Sequence, residues 1–104
     1  NDPVVREGAS VVVLNASGVI GLAQKQADVL SERGITISEI GNASPRDTTI
    51  IIDKSKGKKP GTKSFLEKKF NAASTTDATS VPEAQKYQAD LIVVIGKAAN
   101  AAAN

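Results

Sequence analysis

Residues 10–23, Ser10-Val-Val-Val-Leu-Asn-Ala-Ser-Gly-Val-Ile-Gly-Leu-Ala23, hold the stretch on which the fold turns. Val11 to Leu14 are apolar without interruption and mostly β-branched, the pattern of a strand buried on both faces in the middle of a sheet. Asn15 to Gly21 is a small-residue turn. From Val19 the spacing becomes helical, with Ile20, Ala23, Ala27 and Leu30 on one stripe and Val29 beside it. Asn15 or Ser17 is placed to cap the helix start, and Gly34, after Arg33, to end it. The chain therefore opens strand, turn, helix.

A second run of the same kind, Leu91 to Ile95, reads as the last strand and as another central one. The first and last strands are thus expected as neighbours in mid-sheet. Between them, Ile35, Ile37 and Ile40 alternate with polar residues as in a half-buried strand, and Gly41 to Pro45 reads as a loop. Thr48 to Ile52 is a further β-branched strand, expected to pair antiparallel with the one before it. Pro60 suits the first turn of a helix carrying Phe65, Leu66 and Phe70 inward, although Ser64 and Glu67 also fit a capping box that would start it later. A short edge strand is expected near Ala78 to Val81, then a loop or helical turn from Pro82 to Gln88 with Tyr87 packed near its end.

The expected fold class is α+β: one β-sheet with two helices on one face in βαββα(β)β order, which permits a ferredoxin-like split arrangement. Residues 1–9 read as a leader, 10–97 as a single domain, and 98–104 as a disordered low-complexity Ala/Asn tail. The opening Asn-Asp-Pro suggests the edge of an excised domain or a processed product, with no signal peptide. No apolar run approaches the roughly 18 residues of a membrane span.

Composition removes much of enzymology. The 104 residues include no Cys and no His, so thiol nucleophiles, thiolate metal sites, and the commonest general base and zinc ligand are missing. Aromatics are limited to Phe65, Phe70 and Tyr87, which leaves the core to Val, Ile, Leu and Ala. No calcium loop is present, and neither a metal nor a cofactor is expected. Asp28 and Glu32 lie at i, i+4 and repel slightly, as on a solvated helix face. The net charge of +2 is unevenly spread: Lys54, Lys56, Lys58, Lys59 and Lys63, with Lys68 and Lys69 beyond, are opposed there only by Glu67.

The run from Val11 to Ala23 resembles the opening of the LytR C-terminal domain family, in which a strand, an Asn-Gly-Ser-Gly type turn and Gly-Leu-Ala lead a helix. The likeness continues through Ala27, Leu30, Gly34 and Gly41-Asn42-Ala43, resumes at Thr49 to Ile51, and ends at Asp90 to Gly96. Ala16 departs from it, since the family favours Gly there, and the lysine segment and the Ala/Asn tail have no counterpart. The resemblance implies an extracytoplasmic accessory domain of Gram-positive, especially actinobacterial, cell-envelope proteins. Such domains often follow the catalytic domain of LytR-CpsA-Psr proteins, which attach anionic glycopolymers to peptidoglycan. It does not imply transferase activity, whose arginine and aspartate constellation belongs to that other domain.

Two segments are candidate contact sites. The turn with Asn15, Ser17, Gly18 and Gly21 follows a strand and precedes a helix, so its N–H groups could meet an anion. Against this, it has one glycine fewer than G-x-G-x-x-G and lacks the Lys-Ser/Thr of a P-loop, and its glycines equally suit a tight turn. Lys54, Lys56, Lys58, Lys59 and Lys63 would attract anionic wall polymer or lipid headgroups, or serve only as a solvated face. Nucleic acid is disfavoured because neither a reading helix nor spare aromatics accompany the lysines. The expected function is a non-catalytic, extracytoplasmic interaction module of a cell-envelope protein related to glycopolymer attachment. Its membrane association would come through a span of the parent protein, and another envelope protein is a further possible partner. The alternatives are a small ligand- or phosphate-binding domain using the turn and, less favoured, a nucleic-acid-binding regulatory domain.

Overall fold

A computed structural model describes residues 2–97; the expected tail, 98–104, lies outside the described residues. The elements run α1 (Pro3–Glu7), β1 (Ser10–Asn15), α2 (Leu22–Glu32), β2 (Thr36–Asn42), β3 (Ile50–Asp53), α3 (Pro60–Phe70), β4 (Ala73–Thr75) and β5 (Leu91–Ile95). The strands form one five-stranded sheet in the order β2-β1-β5-β3-β4. β1 pairs parallel with both β2 and β5, β3 pairs antiparallel with β5, and β4 lies parallel to β3. The fold is α+β, as expected, with β1 and β5 side by side in the interior.

The uninterrupted apolar runs are explained by cover on both faces. Val11 and Val13 of β1, with Leu91, Val93 and Ile95 of β5, pack under Ala23, Ala27 and Leu30 of α2 and Leu66 and Phe70 of α3. Val12 and Leu14, with Ile92 and Val94, face the other way, onto Val81, Ala84 and Tyr87. Both longer helices therefore occupy one face. The irregular chain from Ala78 to Ala89 closes the second.

Several expectations need correction. β2 and β3 are not paired: β1 and β5 lie between them. Ile51 and Ile52 are both fully buried, which a strand achieves only inside the sheet, whereas the mostly exposed residues of β2 suit an edge. The ferredoxin-like split is also absent, because β1 and β2, the two strands joined by α2, pair directly with no strand inserted. Gly41 and Asn42, read as loop, complete β2 opposite Leu14 and Asn15.

The short edge strand is Ala73–Thr75, not Ala78 to Val81. The Asp77 carboxylate takes hydrogen bonds from the Thr79 N–H and hydroxyl, which winds Ala78–Ser80 into a 3-10 turn, and Pro82 begins another through Lys86. α3 starts at Pro60, and Ser64 and Glu67 form no capping box; Glu67 accepts instead from the Ser74 hydroxyl. Phe65 is only partly buried, with the Arg33 guanidinium 4.9 Å from its ring centre.

The segment read as a leader is ordered at Pro3–Glu7. Asp2 caps this short helix by accepting from Val4 N at 3.0 Å, Pro3 fills the first helical position, and Val4 is buried. Its sequence signal is the Asp-Pro pair, a capping residue followed by the residue most at home in a first turn.

Candidate functional site

The turn between β1 and α2 is built around Asn15. Its Nδ2 donates to the Val19 carbonyl at 2.8 Å, and its Oδ1 accepts from Ser17 N at 3.1 Å and Ser17 Oγ at 2.6 Å. Ser17 Oγ then accepts from Val19 N at 3.0 Å. Both side chains are thus used within the turn as its framework, and neither caps α2, whose first turn has no side-chain cap. Gly18 and Gly21 sit at φ +77° and +83°, where an L side chain is strained. Ser17 is buried, while Ile20 at the tip is 100% exposed and Val19 39% exposed. The turn presents an apolar tip on a rigid polar base.

Beside it runs an open groove of about 320 Å³ lined by Asn15, residues 18–21, Asn42, Ala43 and Pro45. A smaller depression of about 160 Å³ shares Asn15, Gly21 and Asn42 and extends to Gln24 and Ile40. None of these lining residues titrates near neutral pH, so the groove and the depression offer amides and apolar surface but no acid–base pair of their own.

The lysine segment lies at the other end. β3 runs antiparallel to β5, with Asp53 opposite Leu91, so the loop after β3 emerges beside the start of β1 and β5. About 16 Å of strand separates it from the Asn15–Gly21 turn. The two candidate segments are therefore not brought together.

Within the lysine segment the structure divides the residues. Lys54 Nζ donates to the Tyr87 carbonyl, Lys59 Nζ to the Glu7 carbonyl at 2.7 Å, and Lys63 Nζ lies 3.7 Å from Asp53 Oδ2. These three hold the fold together. Lys56 and Lys58, at the loop tip, are exposed, and neither forms a salt bridge among the described residues. The loop is shaped by Asp53, which is 4% exposed and accepts from Ser55 N at 2.8 Å and Ser55 Oγ at 2.6 Å. Burial pushes the Asp53 carboxyl up, but the Ser55 hydrogen bonds and the Lys63 charge outweigh it and hold it below the ordinary aspartate value.

Glu7, which carries no signal in the sequence, joins this end of the molecule together. Its carboxylate accepts from Gly61 N (2.7 Å), Thr62 N (2.8 Å) and Thr62 Oγ1 (2.6 Å), capping α3 from another helix because α3 has no side-chain cap of its own. Burial raises the Glu7 carboxyl, yet the Thr62 and Gly61 bonds and the Lys59 charge bring it below the ordinary glutamate value. Nothing within 50 residues marks this pairing, so no local pattern could have found it.

Fold and surfaces together describe a small α+β module with an amide-lined groove at one end and a cationic loop at the other. Among the described residues no group of three potential metal-ligating side chains occurs, and no helix is long and apolar enough to cross a membrane. Residues 8–98 match the family model LytR_C, described as LytR cell envelope-related transcriptional attenuator, and the chain belongs to that family. It is also similar to the solution structure of the C-terminal domain of RV0431, with a TM-score of 0.55 and 26% identity over 85% of this chain and 71% of that one. A comparison with curated protein sequences returned no match. The family match begins after α1.

Proposed function

We propose that this domain is a non-catalytic, extracytoplasmic accessory module of a cell-envelope protein, and that it contacts phosphate-bearing wall glycopolymer through the loop after β3. A membrane span elsewhere in the parent protein would hold it at the envelope. The observation that carries the contact is the loop tip, where Lys56 and Lys58 stand exposed and outside any salt bridge among the described residues while Lys54, Lys59 and Lys63 serve the fold. Cell-envelope family membership supplies the setting. The absence of Cys and His from the chain, and a groove without titrating side chains, support an adaptor rather than a catalyst.

Each exposed lysine near an anionic surface contributes about 1 kcal/mol at most, and salt weakens it. The contact is accordingly weak alone and suited to a repetitive polymer, where many sites raise the effective concentration. Retention on immobilised poly(glycerol phosphate), compared with DNA of equal charge density, tests the reading. Salt-sensitive retention on the polymer and less on DNA supports it; equal retention on both reduces the loop to a general cation. A second reading, a small ligand in the Asn15–Gly21 groove, draws on the exposed Ile20 tip. It predicts that Ile20→Ser, on the wall of that groove, weakens binding of the small ligand while leaving retention on the polymer unchanged.

A further inference from the structure

Helix α1 rests on very little apolar surface. Val4 is its one buried side chain, Val5 is 56% exposed, and five residues are too few for a helix stable by itself in water. What holds it is polar. Glu7 caps α3 through Gly61 and Thr62, the Glu7 carbonyl takes Lys59 Nζ, and Asp2 is bridged to Arg33, whose Nη2 lies 3.2 Å from Oδ1. Pro3 fits against Gly61, where a Cβ would lie 2.7 Å from the Pro3 Cβ. α1 thus spans the end of α2 and the start of α3, beside the lysine loop.

We propose that α1 is an autoinhibitory strap over the cationic end of the domain. Docked, it places a carboxylate against the first turn of α3 and occupies Lys59. Undocked, it unwinds, withdraws that negative charge, and leaves Lys59 to join Lys56 and Lys58 as a larger cationic surface. Segments with few buried contacts open separately from the core, and α1 is such a segment. An anionic polymer that prefers the undocked state shifts the equilibrium toward it, and loss of the strap strengthens polymer binding by up to the same factor. The inference rests on the loop reading for its ligand class but not for the strap's separability.

Hydrogen exchange on the whole chain tests separability. The Arg6, Gly8, Gly61 and Thr62 amides should exchange as a group, faster than Val12 and Val93 in the central strands. Glu7→Gln should speed Gly61 and Thr62 by about tenfold or more and leave Val12 and Val93 unchanged, since it weakens hydrogen bonds to a charged group. Exchange of the group only at the rate of Val12 and Val93 would overturn the strap.

Binding to poly(glycerol phosphate) at low salt tests the coupling. Glu7→Gln should bind several-fold more tightly than the unmodified chain, and Val4→Ala, which loosens α1 without changing charge, should do the same. Adding Lys59→Gln to Glu7→Gln should remove the gain. If Lys56→Gln with Lys58→Gln binds as the unmodified chain does, the loop reading fails, while a gain in Glu7→Gln lost with Lys59→Gln still supports the strap. Equal affinity of the unmodified chain, Glu7→Gln and Val4→Ala would overturn the inference.

Discussion

Ser10 and Asp90 close a reciprocal pair at the head of the two central strands: Ser10 N donates to Asp90 Oδ2 at 2.9 Å, and Asp90 N donates to Ser10 Oγ at 3.0 Å. The pair lies one residue before the ladder begins with Val11 opposite Leu91 and so fixes the β1–β5 register. Asp90→Ala leaves the Ser10 N–H without its acceptor and should destabilise the domain by about 1–3 kcal/mol in urea unfolding. Asp90→Asn, which keeps an acceptor oxygen, should cost less.

Tyr87 and Gly41 provide a second test. The Tyr87 hydroxyl lies where a Cβ on Gly41 would stand, and Leu14 closes the same space at 3.1 Å. Gly41→Ala should therefore push Tyr87 out of place and cost about 1–3 kcal/mol. Because the two residues touch, Gly41→Ala combined with Tyr87→Ala should cost measurably less than the sum of the single changes.

The strands β1 and β5 are legible in the sequence because burial on both faces demands an unbroken apolar run, and few other environments produce one. The position of β3 is not. Its Ile51 and Ile52 announce burial, but a β-branched run says nothing about which neighbour it will have, and a pairing with the preceding strand is the nearest guess. α1 is marked in the sequence only by its Asp2-Pro3 start, because the contacts that hold it, Glu7 on α3 and Asp2 on Arg33, are far apart in sequence. The candidate lysines are legible as a charge cluster. That Lys54, Lys59 and Lys63 have bonding partners within the fold depends on Tyr87, Glu7 and Asp53, which only the tertiary structure brings near.

Asp53 sets a pH dependence whose sign follows from its lowered value in the folded chain. The unfolded chain holds the proton more tightly, so the stabilisation is complete above the unfolded-state value, about 3.9, and is lost as pH falls through the lower folded value. Asp53→Ala should cost about 1–3 kcal/mol at pH 7, by leaving the Ser55 donors without their partner. The same variant should lose less stability than the unmodified chain between pH 5 and pH 2. Glu7, also lowered, keeps the remaining slope above zero.

The turn after β1 separates framework from tip. Gly18→Ala places a side chain at φ +77° and should cost about 1–2 kcal/mol, and Asn15→Ala, which removes three hydrogen bonds, at least as much. Ile20→Ser, at a fully exposed position, should change the melting behaviour by no more than about 0.5 kcal/mol.

The contact proposed above is between the exposed tip of the loop after β3 and a polyanion of the cell envelope. Its most direct measurement is the affinity for poly(glycerol phosphate) as a function of salt, for the unmodified chain and for Lys56→Gln with Lys58→Gln. The affinity should fall steadily with ionic strength, and the double substitution should weaken binding at low salt and flatten the salt dependence. Superimposable curves for the two proteins would contradict it and leave these lysines with no role beyond solubility.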